Sequence, residues 1–354
     1  MKTEVAVVIP TIRNLSFLRE WRDEFKDCLG VIVEDHAKKE IETPKKYFQK
    51  VCHYTWKDID KSLGKNSWII SRKNAGIRSF GFLKAWELKA DIIITLDDDC
   101  YPVAPTQSGR RSAEANFHLR GRSPRNEPER RRTVNFVQQH LENLFLYAPT
   151  DWQPTYPHRR YFYTRGIPYS IRNKKEVVIS HGLWSGVLDF DAPTQLLHNH
   201  LQVPENFDFI EFIPQSYFFP MCSMNLAFKT KITPLMYFPL MGYDPEEKHW
   251  GYDRFDDIWA GLFAKKILDH LGLSIVNGSP FVEHRKASDP FKNLQKEAKG
   301  IEANERLYKE IAKVRLSSKN TRDCYIELAE KVHFPKEDYF DYLKKAMKIW
   351  ANLF

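Results

Sequence analysis

The sequence predicts an α/β protein built on a doubly wound, Rossmann-like sheet, and three observations carry that prediction. Two short apolar runs, Val5-Ala6-Val7-Val8-Ile9 and Gly30-Val31-Ile32-Val33, flank a segment of helical character. A third run, Ile92-Ile93-Ile94-Thr95, leads directly into Leu96-Asp97-Asp98-Asp99-Cys100-Tyr101. Short β-branched runs read as buried strands, and strand–helix–strand succession opens a parallel sheet.

In chain order, Pro10-Thr11 ends the first strand, and a helix begins over Asn14 to Trp21 with Asn14 or Ser16 as its N-cap. The second strand closes on Glu34-Asp35. Residues 72–89 read as a helix that leads into the third strand. The first 103 residues thereby form a nucleotide-binding half with three strand ends at one edge, where open α/β sheets bind ligands. Residues 104–133 break the pattern: Arg110, Arg111, Arg120, Arg122, Arg125, Arg130, Arg131 and Arg132 lie among Ser, Pro, Asn and Gly. Such composition lacks core-forming side chains and predicts a flexible insertion. Over 134–300, expected to be the sugar-binding and catalytic half, helical and irregular pieces alternate, with one helix from Asp256 stopped by Gly272. Residues 301–354 are expected to be helical, with Phe340, Leu343, Met347 and Trp350 on one stripe that packs on the rest. Without a repeat or a clear linker, the 354 residues are expected to form one unit.

Hydrophobic content of 42% and charged content of 28% are those of a globular protein in water. The net charge of +8 favours anionic partners in general. No aromatic-interleaved RNA motif accompanies it, so no specific nucleic-acid partner is expected. Five scattered cysteines without metal-ligand spacing suit a reducing compartment. Met1-Lys2-Thr3-Glu4 carries no signal-like core, and no apolar stretch approaches the ~18 residues of a membrane span. A cytoplasmic protein is expected.

The chemistry centres on the aspartate triplet. Continued pleat alternation would set Asp97 and Asp99 on one side and Asp98 on the other, toward the nucleotide. Two hard oxygen ligands suit Mg²⁺ or Mn²⁺, with diphosphate oxygens completing the shell. Thr11, Arg13 and Asn14 in the first βα turn suit a nucleotide's base, ribose or phosphate, and Asp35 could accept from uridine or ribose hydroxyls. That turn is not the G-x-G-x-x-G of a flavin or dinucleotide site, so no flavin is expected.

Several blocks in order resemble the reversibly glycosylated polypeptide family, whose plant members are UDP-arabinopyranose mutases. They are Ile9-Pro10-Thr11-Ile12-Arg13-Asn14-Leu15, the aspartate triplet with Cys100, Arg165-Gly166-Ile167-Pro168-Tyr169-Ser170-Ile171-Arg172, and Ser180-His181-Gly182-Leu183-Trp184. Asp189-Phe190-Asp191-Ala192-Pro193, Asp256-Asp257-Ile258-Trp259-Ala260-Gly261 and His284 with Lys286-Ala287-Ser288 follow. The resemblance implies a GT-A-like nucleotide-sugar fold, a UDP-sugar substrate and a divalent metal, usually Mn²⁺, at the triplet, with His284 as a third ligand. It implies interconversion of UDP-L-arabinopyranose and UDP-L-arabinofuranose, with Arg165 as the glycosylated arginine and Arg172 as a second required one. A guanidinium stays protonated, so a nucleophilic Arg165 needs a carboxylate beside it. Asp189, Asp191, Asp256 and Asp257 are the candidates, and the sequence does not choose among them. A metal-dependent glycosyltransferase, acting on itself or on an external acceptor, is the alternative activity. A homo- or hetero-oligomer is expected.

Overall fold

The computed structural model describes residues 3–103, 136–148, 166, 168–171, 175–187, 189–198, 210–285 and 288–354. Its strands are β1 (Val5–Thr11), β2 (Leu29–Glu34), β3 (Lys50–Tyr54), β4 (Ile92–Leu96), β5 (Cys100–Pro102), β6 (Tyr147–Ala148), β7 (Lys175–Gly186), β8 (Ile210–Phe212), β9 (Asn225–Lys229) and β10 (Ser274–His284). The helices are α1 (Arg22–Phe25), α2 (Trp56–Leu63), α3 (Arg78–Glu87), α4 (Phe136–Leu144), α5 (Ala192–Leu197), α6 (Asp256–His270), α7 (Pro290–Lys313), α8 (Thr321–Lys331) and α9 (Asp338–Ala351).

One sheet runs in the order β3-β2-β1-β4-β9-β7-β10-β5, with β6 on β7 and β8 on β10. The first four strands are parallel. Beyond β4 the sheet turns antiparallel through β9, and β7 and β10 run parallel to each other. The mixed α/β class expected from the sequence is the one observed.

β1 is buried along its whole length because both faces of the sheet are covered. Ala6 and Val8 join Val31, Val33 and Ile93 in the core on one face. Val7 and Ile9 join Ile32 and Ile94 on the other, as the two-residue pleat requires. The first face carries α3 and the C-terminal helices; a Cβ on Gly81 would fall 2.4 Å from Val8 Cγ1, so only glycine lets α3 sit this close to β1. Phe340, Leu343, Met347 and Trp350 are all buried here, and Trp350 Nε1 donates to Pro234 O at 3.2 Å. That stripe is therefore a packing face.

Three expectations need correction. The helix expected over Asn14 to Trp21 is instead a 3₁₀ turn at Ser16–Arg19 followed by the short α1, and residues 72–89 divide into a 3₁₀ turn at Ala75–Ile77 and α3. Residues 134–300 also hold long strands, β7 and β10, that were not foreseen. Their interiors carry polar residues, which broke the apolar runs. His140 Nε2 donates to Asn225 Oδ1 and its Nδ1 accepts from Ser180 Oγ, both at 2.9 Å; Asn225 Nδ2 in turn donates to Leu183 O and Pro280 O. Buried polar groups that satisfy one another are tolerated, but they hide a strand from a hydrophobicity reading.

The Arg-rich stretch lies outside the described residues. Among the described residues no helix is long and apolar enough to cross a membrane.

Candidate active site

The carboxyl ends of β1, β2 and β4 open on a cleft of about 410 Å³ lined by Thr11, Ile12, Arg13, Asp35, Lys73, Asn74, Arg78 and Asp97 to Asp99. A larger groove of about 1060 Å³ runs between α7 and residues 333–337. It is remote from the strand ends and is lined by mixed surface charges such as Glu310 and Lys313, which pair with each other.

β4 ends at Leu96, and Cys100 N closes a turn onto Asp97 O at 3.2 Å. The pleat therefore does not continue through the aspartates, and the expected grouping of Asp97 with Asp99 opposite Asp98 is corrected. Asp98 and Asp99 both meet Arg13: Nε is 3.2 Å from Asp98 Oδ1 and Nη1 is 3.4 Å from Asp99 Oδ2. Asp98 also accepts from Thr11 Oγ1 at 2.7 Å. Burial raises the Asp98 carboxyl above the usual range, with Thr11 and Arg13 opposing that shift.

Asp97 turns instead to Arg78, whose Nη2 donates to Asp97 Oδ1 at 2.6 Å. Arg78 is fully buried at the start of α3. Its other donors go to Ala75 O (3.0 Å), Thr95 Oγ1 (2.9 Å) and Ser223 O (2.8 Å). A buried guanidinium persists only when paired and hydrogen-bonded. Sequence reasoning passed over this residue; a lone arginine opening the otherwise apolar Phe80 to Leu83 turn was the available signal.

Asp35 takes donors from Trp56 Nε1 (2.7 Å) and from the backbone N–H of Lys73 and Asn74 (both 2.9 Å). Its carboxylate mostly fixes the 73–74 loop that walls the cleft. Asn14 is exposed, and its Oδ1 accepts from Ser16 N at 3.2 Å; it does not line the cleft.

His284 comes to the triplet from the far end of the chain because β10 pairs with β5, with His284 opposite Cys100. Its Nδ1–H donates to Val187 O at 2.9 Å, which leaves the Nε2 lone pair 3.8 Å from Asp99 Oδ1. A backbone carbonyl on Nδ1 is the usual way a metal-binding imidazole is oriented. Among the described residues no group of three His, Cys, Asp or Glu side chains is arranged around one point. Asp99 and His284 thus form a two-donor pair, and Asp97, tied to Arg78, is not joined to it.

A second group of carboxylates lies beyond the triplet. Asp189 Oδ1 is 3.4 Å from Arg254 Nη2, and its Oδ2 is 3.8 Å from Cys222 Sγ. Burial raises the Asp189 carboxyl, and Arg254 and His284 oppose that. Asp257 accepts from Ser223 N (3.2 Å), Ser223 Oγ (3.3 Å) and Ile258 N (2.8 Å). Asp256 is buried, and its Oδ2 has no hydrogen-bond partner among the described residues. Burial raises both carboxyls at the start of α6, that of Asp257 further through the charge of Asp256. Asp191 plays a different part: it is the N-cap of α5, accepting from Thr194 N and Oγ1 at 3.0 and 2.8 Å. Arg165 and Arg172 lie outside the described residues.

Residues 1–121 and 123–354 match the family described as reversibly glycosylated polypeptide. UDP-arabinopyranose mutase 1 of Arabidopsis thaliana is 37% identical over 362 residues, which span 99% of this chain and 92% of that protein. UDP-arabinopyranose mutase 1 of Oryza sativa subsp. japonica is 36% identical, spanning 99% and 90%. Among solved structures, glucosyl-3-phosphoglycerate synthase of Mycobacterium tuberculosis, in complex with Mn²⁺ and UDP-glucose, aligns over 95% of this chain and 81% of its own. That likeness is slight, at 12% identity and a TM-score of 0.40.

Proposed function

Because the chain belongs to the reversibly glycosylated polypeptide family, we propose that it is a UDP-sugar mutase interconverting UDP-L-arabinopyranose and UDP-L-arabinofuranose. The observation that carries this reading is near full-length similarity to proteins named for that activity. The cleft at the ends of β1, β2 and β4 supports it with a nucleotide-sized volume and cations beside an acidic turn.

The ring change breaks the C1–O5 bond and closes the ring through O4, so the anomeric carbon must be activated by departure of UDP. In this reading Arg13 and Lys73 hold the diphosphate within the cleft, preorganised against the charge that develops on the leaving group. Arg78, buried in the cleft wall, fixes the turn through Asp97. Asp99 and the Nε2 of His284 would hold a divalent cation with diphosphate oxygens as further ligands, and the donor set, one carboxylate and one oriented imidazole, fits Mn²⁺. When bound, that cation supplies neutralisation of the diphosphate charge.

Arg165 would take the sugar at C1 while UDP leaves with the bonding pair, and a carboxylate would accept the guanidinium proton. Arg172 would act on phosphate as a bidentate donor. The five cysteines are all free thiols, which supports a reducing compartment such as the cytoplasm.

The test is incubation of the purified protein with Mn²⁺ and UDP-L-arabinopyranose, followed by separation of the two ring forms. Approach to the same pyranose–furanose ratio from either side is expected. Release of free sugar, or its transfer to an added acceptor without ring change, would replace the mutase by a transferase.

A further inference from the structure

Of the four carboxylates that could serve beside the sugar, two are committed elsewhere and a third is shut away from solvent. Asp191 caps α5, Asp256 is buried, and Asp257 accepts from three N–H and O–H donors of the protein. Asp189 differs. Its side chain is one-third exposed (33%), and the charges that act on it come from Arg254, His284, Asp97 and Glu297.

What holds Asp189 is a relay from the C-terminal helices. Arg254 Nε donates to Glu297 Oε1 at 2.7 Å while its Nη2 reaches Asp189. Glu297, only 5% exposed, uses its second oxygen to accept from Ala192 N at 2.7 Å, three residues after Asp189. One buried carboxylate of α7 therefore ties both the arginine and the backbone of the segment that carries Asp189. Two backbone features serve this contact. Arg254 sits in the left-handed region with φ of 60°, a conformation that costs a non-glycine residue energy and persists where surrounding contacts enforce it. Gly300, one helical turn after Glu297, faces the Phe255 ring, and a Cβ there would fall 2.3 Å from Phe255 Cδ2. Glycine thus lets α7 approach the residue next to Arg254 closely enough for Glu297 to reach it.

We propose that Arg254, braced by Glu297, is a positioning residue that fixes Asp189 as the carboxylate facing the sugar of the UDP-sugar substrate. The inference rests on the mutase reading for the identity of that sugar, but its geometry depends only on a sugar lying beyond the diphosphate. A guanidinium suits the task because its planar fork engages two carboxylates at once, whereas an ammonium is a point charge.

The experiment compares wild type with Arg254→Gln, Arg254→Lys and Glu297→Gln, measuring Kd for UDP and for UDP-L-arabinopyranose by calorimetry with Mn²⁺ present, then turnover. Arg254→Gln should leave UDP affinity unchanged and weaken UDP-arabinopyranose by about tenfold, the size of one charge-assisted hydrogen bond. Turnover should fall on the order of 10²-fold, as for a misplaced reacting group. Glu297→Gln should show the same pattern more mildly, and Arg254→Lys should lie between Gln and wild type. Equal loss of affinity for both ligands in the folded variants would show a merely structural role or a diphosphate contact and would overturn the proposal, as would wild-type behaviour in all. Should Arg254→Gln fail to fold, the two milder variants decide on the same split. A wild-type protein that binds the UDP-sugar without converting it refutes the mutase reading alone, because the affinity split still judges the brace. One that binds neither ligand overturns both.

Discussion

Arg78 and Asp97, nineteen residues apart in sequence, meet at 2.6 Å, with the arginine entirely buried and the carboxylate 29% exposed toward the cleft. The pair joins the start of α3 to the end of β4, so the acidic turn inherits the rigidity of the core. Removing the arginine would leave Asp97 without its cation and open a polar void around Thr95 and Ser223. We expect Arg78→Met to cost about 3–5 kcal/mol, the range for breaking a buried ion pair. Chemical denaturation checks this; a loss below ~1 kcal/mol would mean the pair behaves like a surface bridge.

Asp99 and His284 should act together and Asp97 separately. Asp99→Asn and His284→Ala are each expected to weaken Mn²⁺ binding in the presence of UDP by at least ~10-fold, the scale of losing a metal ligand or its support. Titration followed by the electron spin resonance of free Mn²⁺ reads this directly. Asp97→Asn should affect Mn²⁺ affinity less, because Asp97 is held by Arg78. An Asp97→Asn effect as large as that of Asp99→Asn would bring Asp97 into the ligand set.

Acid should destabilise the fold through its buried imidazoles. Burial lowers His140 to about 3 and His181 to about 4, from an ordinary histidine value near 6.5. Both stay neutral in the folded protein while the unfolded chain takes up protons below that value. Their contribution is therefore intact above pH 6.5 and lost as pH falls toward 4. Each should remove about 2 kcal/mol at pH 5. Thermal midpoints measured from pH 7.5 to pH 5 should fall, and His140→Gln should flatten the slope. A flat wild-type profile would show that these rings are protonated in the fold.

Asp191→Ala should cost about 1 kcal/mol, the usual loss of a helix cap, without lowering turnover beyond what stability explains. A large loss of turnover with the melting point intact would return Asp191 to the catalytic group.

The α/β class, the first strands and the place of the Asp97–Asp99 turn at the end of β4 were legible in the sequence, because buried parallel strands announce themselves as apolar β-branched runs. The C-terminal stripe was legible because Phe340, Leu343, Met347 and Trp350 recur at helical spacing. Relations between distant residues were not. Pleat alternation misgrouped the aspartates because β4 stops at Leu96, and the turn then hands Asp98 and Asp99 to Arg13. β7 and β10 were missed because polar residues interrupt their apolar runs, Ser180 and His181 in β7 and Asn277 in β10, and the 2.8 Å pairing of His181 Nδ1 with Asn277 Oδ1 exists only once the strands are side by side. Only the tertiary structure decided that Arg78 belongs to the site's framework, that Asp191 is a cap, and that Glu297 reaches Arg254 across 43 residues. Hydrophobic periodicity is a local property, written residue by residue along the chain. The partner of a buried charge is fixed by which elements the sheet and helices bring together, and that depends on the whole fold.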